Sequence, residues 1–319
     1  MGRRDANALH GVLVIDKPAG VTSATVVGEL RRRLGTDQAG HTGTLDPIAT
    51  GVLPVCLGAA TKLAQWLIAE DKTYDATVQL GVDTDTFDRD GAPVGGDPAA
   101  AARVTRADVE AALAALSGSY AQVPPIYSAI QQGGRRLHEL ARAGEAAELA
   151  PRPVRVERLE LTGFAPPAIT FAVHCSKGTY VRSLVRDLGA RLGCGAHLTE
   201  LRRTASGRFT VADAIPLAFL DRATAIPRLV APADALGLPA VTVRIADERD
   251  VLDGRALDRA RFVPPDLAVG ARFQLLTEGG AVLALAQLHA ERIELVRVLT
   301  YGCAAPPVNG KFRPRTTSG

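Results

Sequence analysis

The sequence predicts an α+β protein with a second, smaller β domain, and three observations carry that prediction. Apolar runs and strict apolar alternation mark strands in the first two thirds of the chain. Between them, apolar residues recur at helical spacing. From about Leu238 the helical spacing gives way to short strand-like runs. At 319 residues and 47% hydrophobic content the chain exceeds one typical domain and can fill two cores. The expected division is residues 1–235, residues 236–303 and a flexible basic tail, residues 304–319.

The elements follow in chain order. "GVLVIDKPAG" is a short apolar strand closed by Pro18 and Gly20, and "VTSATVVGELRRRLG" spaces Val26, Leu30 and Leu34 four apart before Gly35 stops the helix. "ATKLAQWLIAE" puts Leu63, Trp66 and Leu67 on one helical stripe. "TYDATVQLG" alternates, so Tyr74, Ala76, Val78 and Leu80 share one apolar face. Residues 83–104, rich in Asp, Gly, Pro and Ala, predict a loop before a helix at "ADVEAALAALSG", where Val109, Leu113 and Leu116 recur. Phe171, Val173 and Cys175 alternate in "TFAVHCS", and "SKGTY" joins that strand to a helix. Leu184, Val185, Leu188 and Leu192 form its apolar stripe, with Arg182 and Arg186 on the other side. In the second domain "VTVRI", "ARFQLLT", "AVLALAQL" and "ERIELVRVL" read as strands, with a tight hairpin at Glu278-Gly279-Gly280.

Formal net charge is only +3, yet residues 152–208 hold ten Lys/Arg against four Asp/Glu, while residues 83–118 hold three against seven. That asymmetry fits one face offered to a polyanion and equally a solvated charged surface. The four cysteines, Cys56, Cys175, Cys194 and Cys303, form no CxxC pair, which argues against a disulfide framework or zinc site and for a reducing compartment. Neither a leader peptide nor a membrane-length apolar run is evident, so a cytoplasmic protein is expected. The six histidines show no HExxH spacing, and no GxSxG elbow or GxxxxGK[ST] loop occurs.

The stretch "GHTGTLDPIATG" isolates one acid, Asp46, among three glycines, three threonines and His41. Asp favours turns because its short side chain bonds nearby amides, which could be the whole explanation. The chemical alternative is a nucleophile: an ionised carboxylate on a rigid turn, positioned by a cation and shielded from water. Arg182 could supply the cation through a bidentate fork, although an exposed helix arginine is the plainer reading. Tyr74 and Tyr180 are core residues by default, or platforms for an extruded base. His41 is a turn histidine or an RNA contact.

In order along residues 11–215, "DKPAGVTS", "GHTGTLDPIATG", "LGVDTDTFDRDG", "QVPPIYSAI", "SKGTYVRSLVRDLG" and "GAHLTELRRTASG" resemble the motifs of the bacterial TruB-type tRNA pseudouridine synthases. The resemblance implies a catalytic domain on a mixed, largely antiparallel sheet and a small C-terminal PUA-like β-barrel that grips tRNA. It implies isomerisation of uridine 55 in the tRNA T-loop with Asp46 as nucleophile, Arg182 pairing with it and Tyr74 stacking on the base. By the same resemblance Tyr180 and Leu201 line the pocket, His41 holds the flipped loop and Lys17 binds substrate. No metal or other cofactor is implied, and the partner is the T-stem-loop of tRNA, with no protein or membrane partner and a monomeric enzyme. The sequence departs from the family at Ala24 and Thr25, where a His-Asp pair is frequent, and at Gln131 and His138, where Lys and Tyr are common. Two other readings compete: a non-catalytic tRNA-binding or folding protein, and an RNA glycosidase, which would need a second acid.

Overall fold

The strand Gly11–Lys17 is buried along its length because it faces two cores at once: Leu13 and Ile15 enter one, Val12 and Val14 the other. It belongs to a ten-stranded sheet in a computed structural model that describes residues 9–125, 131–132, 135–136 and 149–299. The expected tail, Cys303, His138 and the whole of "YSAI" lie outside the described residues. Across the sheet the strands run Ile215–Pro216, Gly11–Lys17, Thr50–Leu57, Ala196–Ser206, Lys72–Leu80, Ala168–Cys175, Arg152–Ala165 and Gly118–Gln122. Two short strands, Ala39–His41 and Phe209–Thr210, pair with 50–57 and 196–206. The pairings 11–17 with 215–216 and 50–57 with 196–206 are parallel, and the others are antiparallel. The sheet is therefore mixed and largely antiparallel, as expected.

Helices Ser23–Leu34, Arg106–Ala114 and Val181–Leu192 bury their stripes in the main core. The first starts at Thr22, whose hydroxyl accepts from the Thr25 amide, and stops at left-handed Gly35. In 72–80 the alternation holds, with Tyr74, Ala76, Val78 and Leu80 all buried. Three local readings are corrected. Residues 83–104 are not all loop: Asp83–Thr84 pairs with Pro93–Gly95, and Asp97 caps a short helix, Pro98–Ala101. The stripe through Leu63, Trp66 and Leu67 is split, because Gly58–Leu63 is a 3-10 turn and only Ala64–Ile68 is α-helical. The tighter winding turns Leu63 toward the C-terminal sheet while Leu67 packs beneath strand 11–17. Finally, Arg182 is 5% exposed rather than solvated.

The C-terminal sheet orders Ala240–Thr242, Arg272–Leu276, Val282–Leu288 and Ile293–Val298, the first pair parallel and the rest antiparallel. It has its own core of Val243, Phe273, Leu275 and Leu283, as a PUA-like domain requires. Two short helices, Glu248–Leu252 and Arg259–Phe262, interrupt the expected all-strand pattern and contribute Val251 and Phe262 to that core. An apolar seam of Leu63, Val282, Leu285 and Leu299 joins it to the large domain. There buried Gln274 donates from Nε2 to the carbonyls of Ala233 and Leu238, each at 3.0 Å. Cys56, Cys175 and Cys194 are buried free thiols. Among the described residues no helix is long and apolar enough to cross a membrane.

Candidate active site

The loop between strands 39–41 and 50–57 is fixed on both sides of Asp46. Leu45 and Ile48 are buried in the main core, and Ser23 grips Leu45 twice, accepting its amide at 2.8 Å and donating to its carbonyl at 3.0 Å. The Gly20 amide donates to the Pro47 carbonyl at 2.8 Å, and the Ala49 amide closes a turn onto the Asp46 carbonyl at 3.0 Å. Lys17 is fully enclosed, its ammonium donating to the carbonyls of Pro18 and Pro47 at 2.9 and 3.3 Å. Burial lowers it to about 8 despite the attraction of Asp46. Lys17 thus braces the loop from behind. At Gly51, with φ 99°, a β-carbon would stand 2.2 Å from the Arg203 carbonyl oxygen, so glycine is required for strands 50–57 and 196–206 to meet here.

Asp46 stands at the wall of a cavity of about 580 Å³, also lined by His41, Thr44, Lys72, Tyr74, Lys177, Tyr180, Arg182, Leu201 and Arg203. The volume lies within the range of small-ligand pockets. Arg182 meets Asp46 as a fork: Nε is 2.8 Å from Oδ2, and Nη2 donates to Oδ1 at 3.1 Å. Its Nη1 donates to the Thr86 carbonyl at 3.2 Å and lies 3.5 Å from Asp88 Oδ2. Asp88 is 5% exposed and takes Thr86 Oγ1 at 2.6 Å and the Asp90 amide at 3.1 Å on its other oxygen. Arg182 therefore lies between two carboxylates, with the cavity open only on the Asp46 side. A third of the Asp46 side chain is accessible from the cavity while protein encloses the rest. Burial pushes its carboxyl above the usual aspartate range; Arg182 opposes that most strongly, Asp88 reinforces it and Lys17 opposes it.

Of the residues singled out in the sequence, Asp46, Arg182, Tyr74, His41, Tyr180 and Leu201 converge on this cavity, and Lys17 stands behind it. Tyr74 is at once a core residue and a cavity wall, 8% exposed, with the Arg203 charge beside it. The Tyr180 amide and carbonyl are both held by buried Gln122 at 2.8 and 3.2 Å, which fixes the start of the arginine-bearing helix. Burial, then the Arg203 charge, lowers His41, which favours its neutral form. Sequence reading missed Arg203, Lys72 and Asp88. Arg203 donates from Nε to the Val52 carbonyl at 2.6 Å and from Nη2 to the Gly43 carbonyl at 3.2 Å, tying the Asp46 loop to strand 196–206. Burial, then Arg203, lowers Lys72 to about 8; its ammonium donates to the Ile68 carbonyl at 2.8 Å. Period-two spacing could have found both, since Arg203 shares a face with Leu201 and Lys72 with Tyr74.

Several of the basic residues counted in 152–208 are matched by acids: Arg155 by Asp71 and Glu157, Arg158 by Glu160, Arg186 by Asp187, Arg202 by Asp16. The charge surplus is therefore neutralised in part by local pairing. Among the described residues Asp71, Glu157 and His174 bring potential metal donors within 4.8 Å of one another. Arg155 already bridges the two acids, at 3.2 and 2.7 Å.

Two family models match end to end: the TruB family pseudouridylate synthase N-terminal domain over residues 31–181, and the tRNA pseudouridylate synthase B C-terminal domain over residues 182–236. The tRNA pseudouridine synthase B of Aromatoleum aromaticum is 48% identical over 80% of this chain and 83% of its own length. That of Burkholderia mallei is 44% identical over 90% and 95%. A chain in the crystal structure of a Cbf5-Nop10-Gar1 complex superposes with a TM-score of 0.69 and 26% identity, over 91% of this chain and 85% of that one.

Proposed function

Since the chain belongs to the TruB family of pseudouridylate synthases, we propose that it isomerises uridine 55 in the T-loop of tRNA, with Asp46 as the nucleophile. At the coarser level the family makes it an isomerase that forms pseudouridine in tRNA. The observation that carries the finer reading is the Arg182 fork on a cavity-facing Asp46, with Tyr74 beside it.

In the reaction the N1–C1′ glycosidic bond of uridine breaks and a C5–C1′ bond forms. The proton displaced from C5 is balanced by one gained at N1. No electrons are gained or lost, so the balance requires no redox cofactor. Extruding the base from the T-loop costs roughly a few kcal/mol of unstacking, offset by stacking on Tyr74 and by backbone contacts. Asp46 then attacks C1′, attacks the uracil ring or assists elimination toward a glycal; each route uses its ionised carboxylate, which Arg182 favours against the push of burial. Tyr180 and Leu201 confine the ring while it turns, His41 supports the flipped loop, and Lys17 and Arg203 act from behind by holding the Asp46 loop rigid.

Residues 1–235 are assigned to catalysis and residues 236–303 to gripping tRNA, with the enzyme acting as a cytoplasmic monomer. The competing glycosidase reading needs a second acid facing the substrate. Asp88 lies on the far side of Arg182 and is absent from the cavity wall. Mapping pseudouridine in tRNA incubated with the purified protein tests the reading. Wild type should modify position 55, and Asp46→Asn should bind tRNA normally yet leave it unmodified. Modification elsewhere, or substantial turnover by Asp46→Asn, refutes the corresponding part.

A further inference from the structure

The segment Thr84 to Asp90, within "LGVDTDTFDRDG", contains a conformation that the catalytic assignment leaves unexplained. Phe87 has φ 62°, in the left-handed region that a bulky residue enters only under strain. Both flanking residues serve Arg182: the Thr86 carbonyl accepts from its Nη1, and the Asp88 carboxylate lies against the same nitrogen. In an extended chain adjacent carbonyls and side chains diverge; the left-handed residue between them turns both acceptors toward one guanidinium.

The Phe87 ring is itself anchored. The Arg186 guanidinium carbon lies 5.1 Å from the ring centroid, and Arg186 is four residues beyond Arg182 on the same helix, one turn away. Arg186 is oriented in turn by Asp187, to which Nε and Nη2 donate at 2.9 and 2.6 Å, and by the Val123 carbonyl at 3.4 Å. The Phe87 backbone accepts the Leu198 amide at 3.0 Å, and its own amide donates to Thr84 at 3.1 Å. The loop thus meets the arginine helix at two successive turns: through polar groups at Arg182, through an aromatic ring at Arg186.

We propose that Phe87 is a positioning residue for the isomerisation: its ring on Arg186 holds the strained turn that keeps Thr86 and Asp88 on Arg182, and so keeps the fork aimed at Asp46. The proposal rests on the reading of Asp46 and Arg182 as the reacting pair. It explains how a strained aromatic residue persists in an acidic loop: the clamp to the helix offsets the cost of the turn.

The test measures kcat and KM on full-length tRNA, with thermal melting of each variant. Phe87→Tyr keeps the ring and should remain within about twofold of wild type. Phe87→Ala should lower kcat about 10- to 100-fold with KM nearly constant, the loss expected of a misaimed catalytic group. Phe87→Gly relieves the backbone strain without restoring the clamp, so it should melt at or above Phe87→Ala yet show a similar kcat loss. In a cycle with Arg186→Ala, the double variant should be no slower than the worse single one. Full kcat in Phe87→Ala or Phe87→Gly, or fully additive losses in the cycle, overturns the proposal. Asp46→Asn assayed in parallel separates the two readings: if it is inactive while Phe87→Ala is normal, only the clamp fails; if it is active, the catalytic assignment fails.

Discussion

Replacing Arg182 with alanine removes the cation that stands between Asp46 and Asp88, with separate consequences for stability and for chemistry. In the intact site Arg182 touches Asp46 at 2.8 and 3.1 Å, Asp88 at 3.5 Å and the Thr86 carbonyl at 3.2 Å. Alanine leaves two carboxylates facing a void. Removing one partner of a fully buried pair costs about 3–5 kcal/mol. Because a third of the Asp46 side chain is open to water, the expected destabilisation is lower, about 2–3 kcal/mol by urea unfolding. For the chemistry, burial already pushes the Asp46 carboxyl upward, and Arg182 is the strongest influence against it. Without Arg182 the carboxyl rises further, so the pH needed to keep Asp46 ionised and reactive rises with it. The assay is single-turnover rate against pH, between about pH 5 and 9, at saturating tRNA. The acid limb should move to higher pH, with the rate at neutrality down by about 100-fold or more and partly recovered under alkaline conditions. Arg182→Lys should fall between, since it restores charge without the fork. An acid limb that stays in place, with the loss residing in tRNA affinity and its salt dependence, would make Arg182 a phosphate contact and refute the argument.

Tyr74→Leu should melt within a few degrees of wild type, since it remains apolar in the core, yet isomerise about 10- to 100-fold more slowly for want of a stacking platform; Tyr74→Phe should be nearly normal. A collapsed melting temperature with normal turnover of the folded fraction would assign Tyr74 to the core alone. Deleting residues from Leu238 onward should weaken tRNA binding and, by uncovering Leu63, Trp66 and Leu236, lower stability, while the folded fraction still turns over a saturating T-stem-loop fragment; a folded but inactive truncation contradicts the two-domain division. Lys17, lowered to about 8 in the fold from an ordinary 10.5, binds fewer protons than in the unfolded chain between those values. Its contribution to stability is thus present above 10.5 and lost as pH falls through about 8, so Lys17→Met should flatten part of the rise in urea stability from about pH 8 to 10. An unchanged slope would place the ammonium in water.

Elements whose burial follows from local spacing were legible in the chain. The alternation from Tyr74 to Leu80 and the stripe Leu184, Val185 and Leu188 came out buried as the period requires. The hairpin at Glu278-Gly279-Gly280 closes with Thr277 and Ala281 bonded at 2.8 Å. The depth of Lys17 was not legible, because its motif position carries no information on burial. Asp88 stayed hidden because an acid in "DTFDRDG" looks like any solvated turn residue until the fold brings it against a helix about a hundred residues away.

The sequence by itself determined which residues are apolar, at what period, and which single acid stands in a turn; these are local properties, set by steric and solvation preferences within a few residues. The tertiary structure decided charge state and partnership. Arg182 reads as a surface residue on its own helix, and it becomes a buried fork because two loops, carrying Asp46 and Asp88, close over it from 136 residues away in one case. Electrostatic environment depends on distance in space and on excluded water, and neither is encoded by neighbours in the chain.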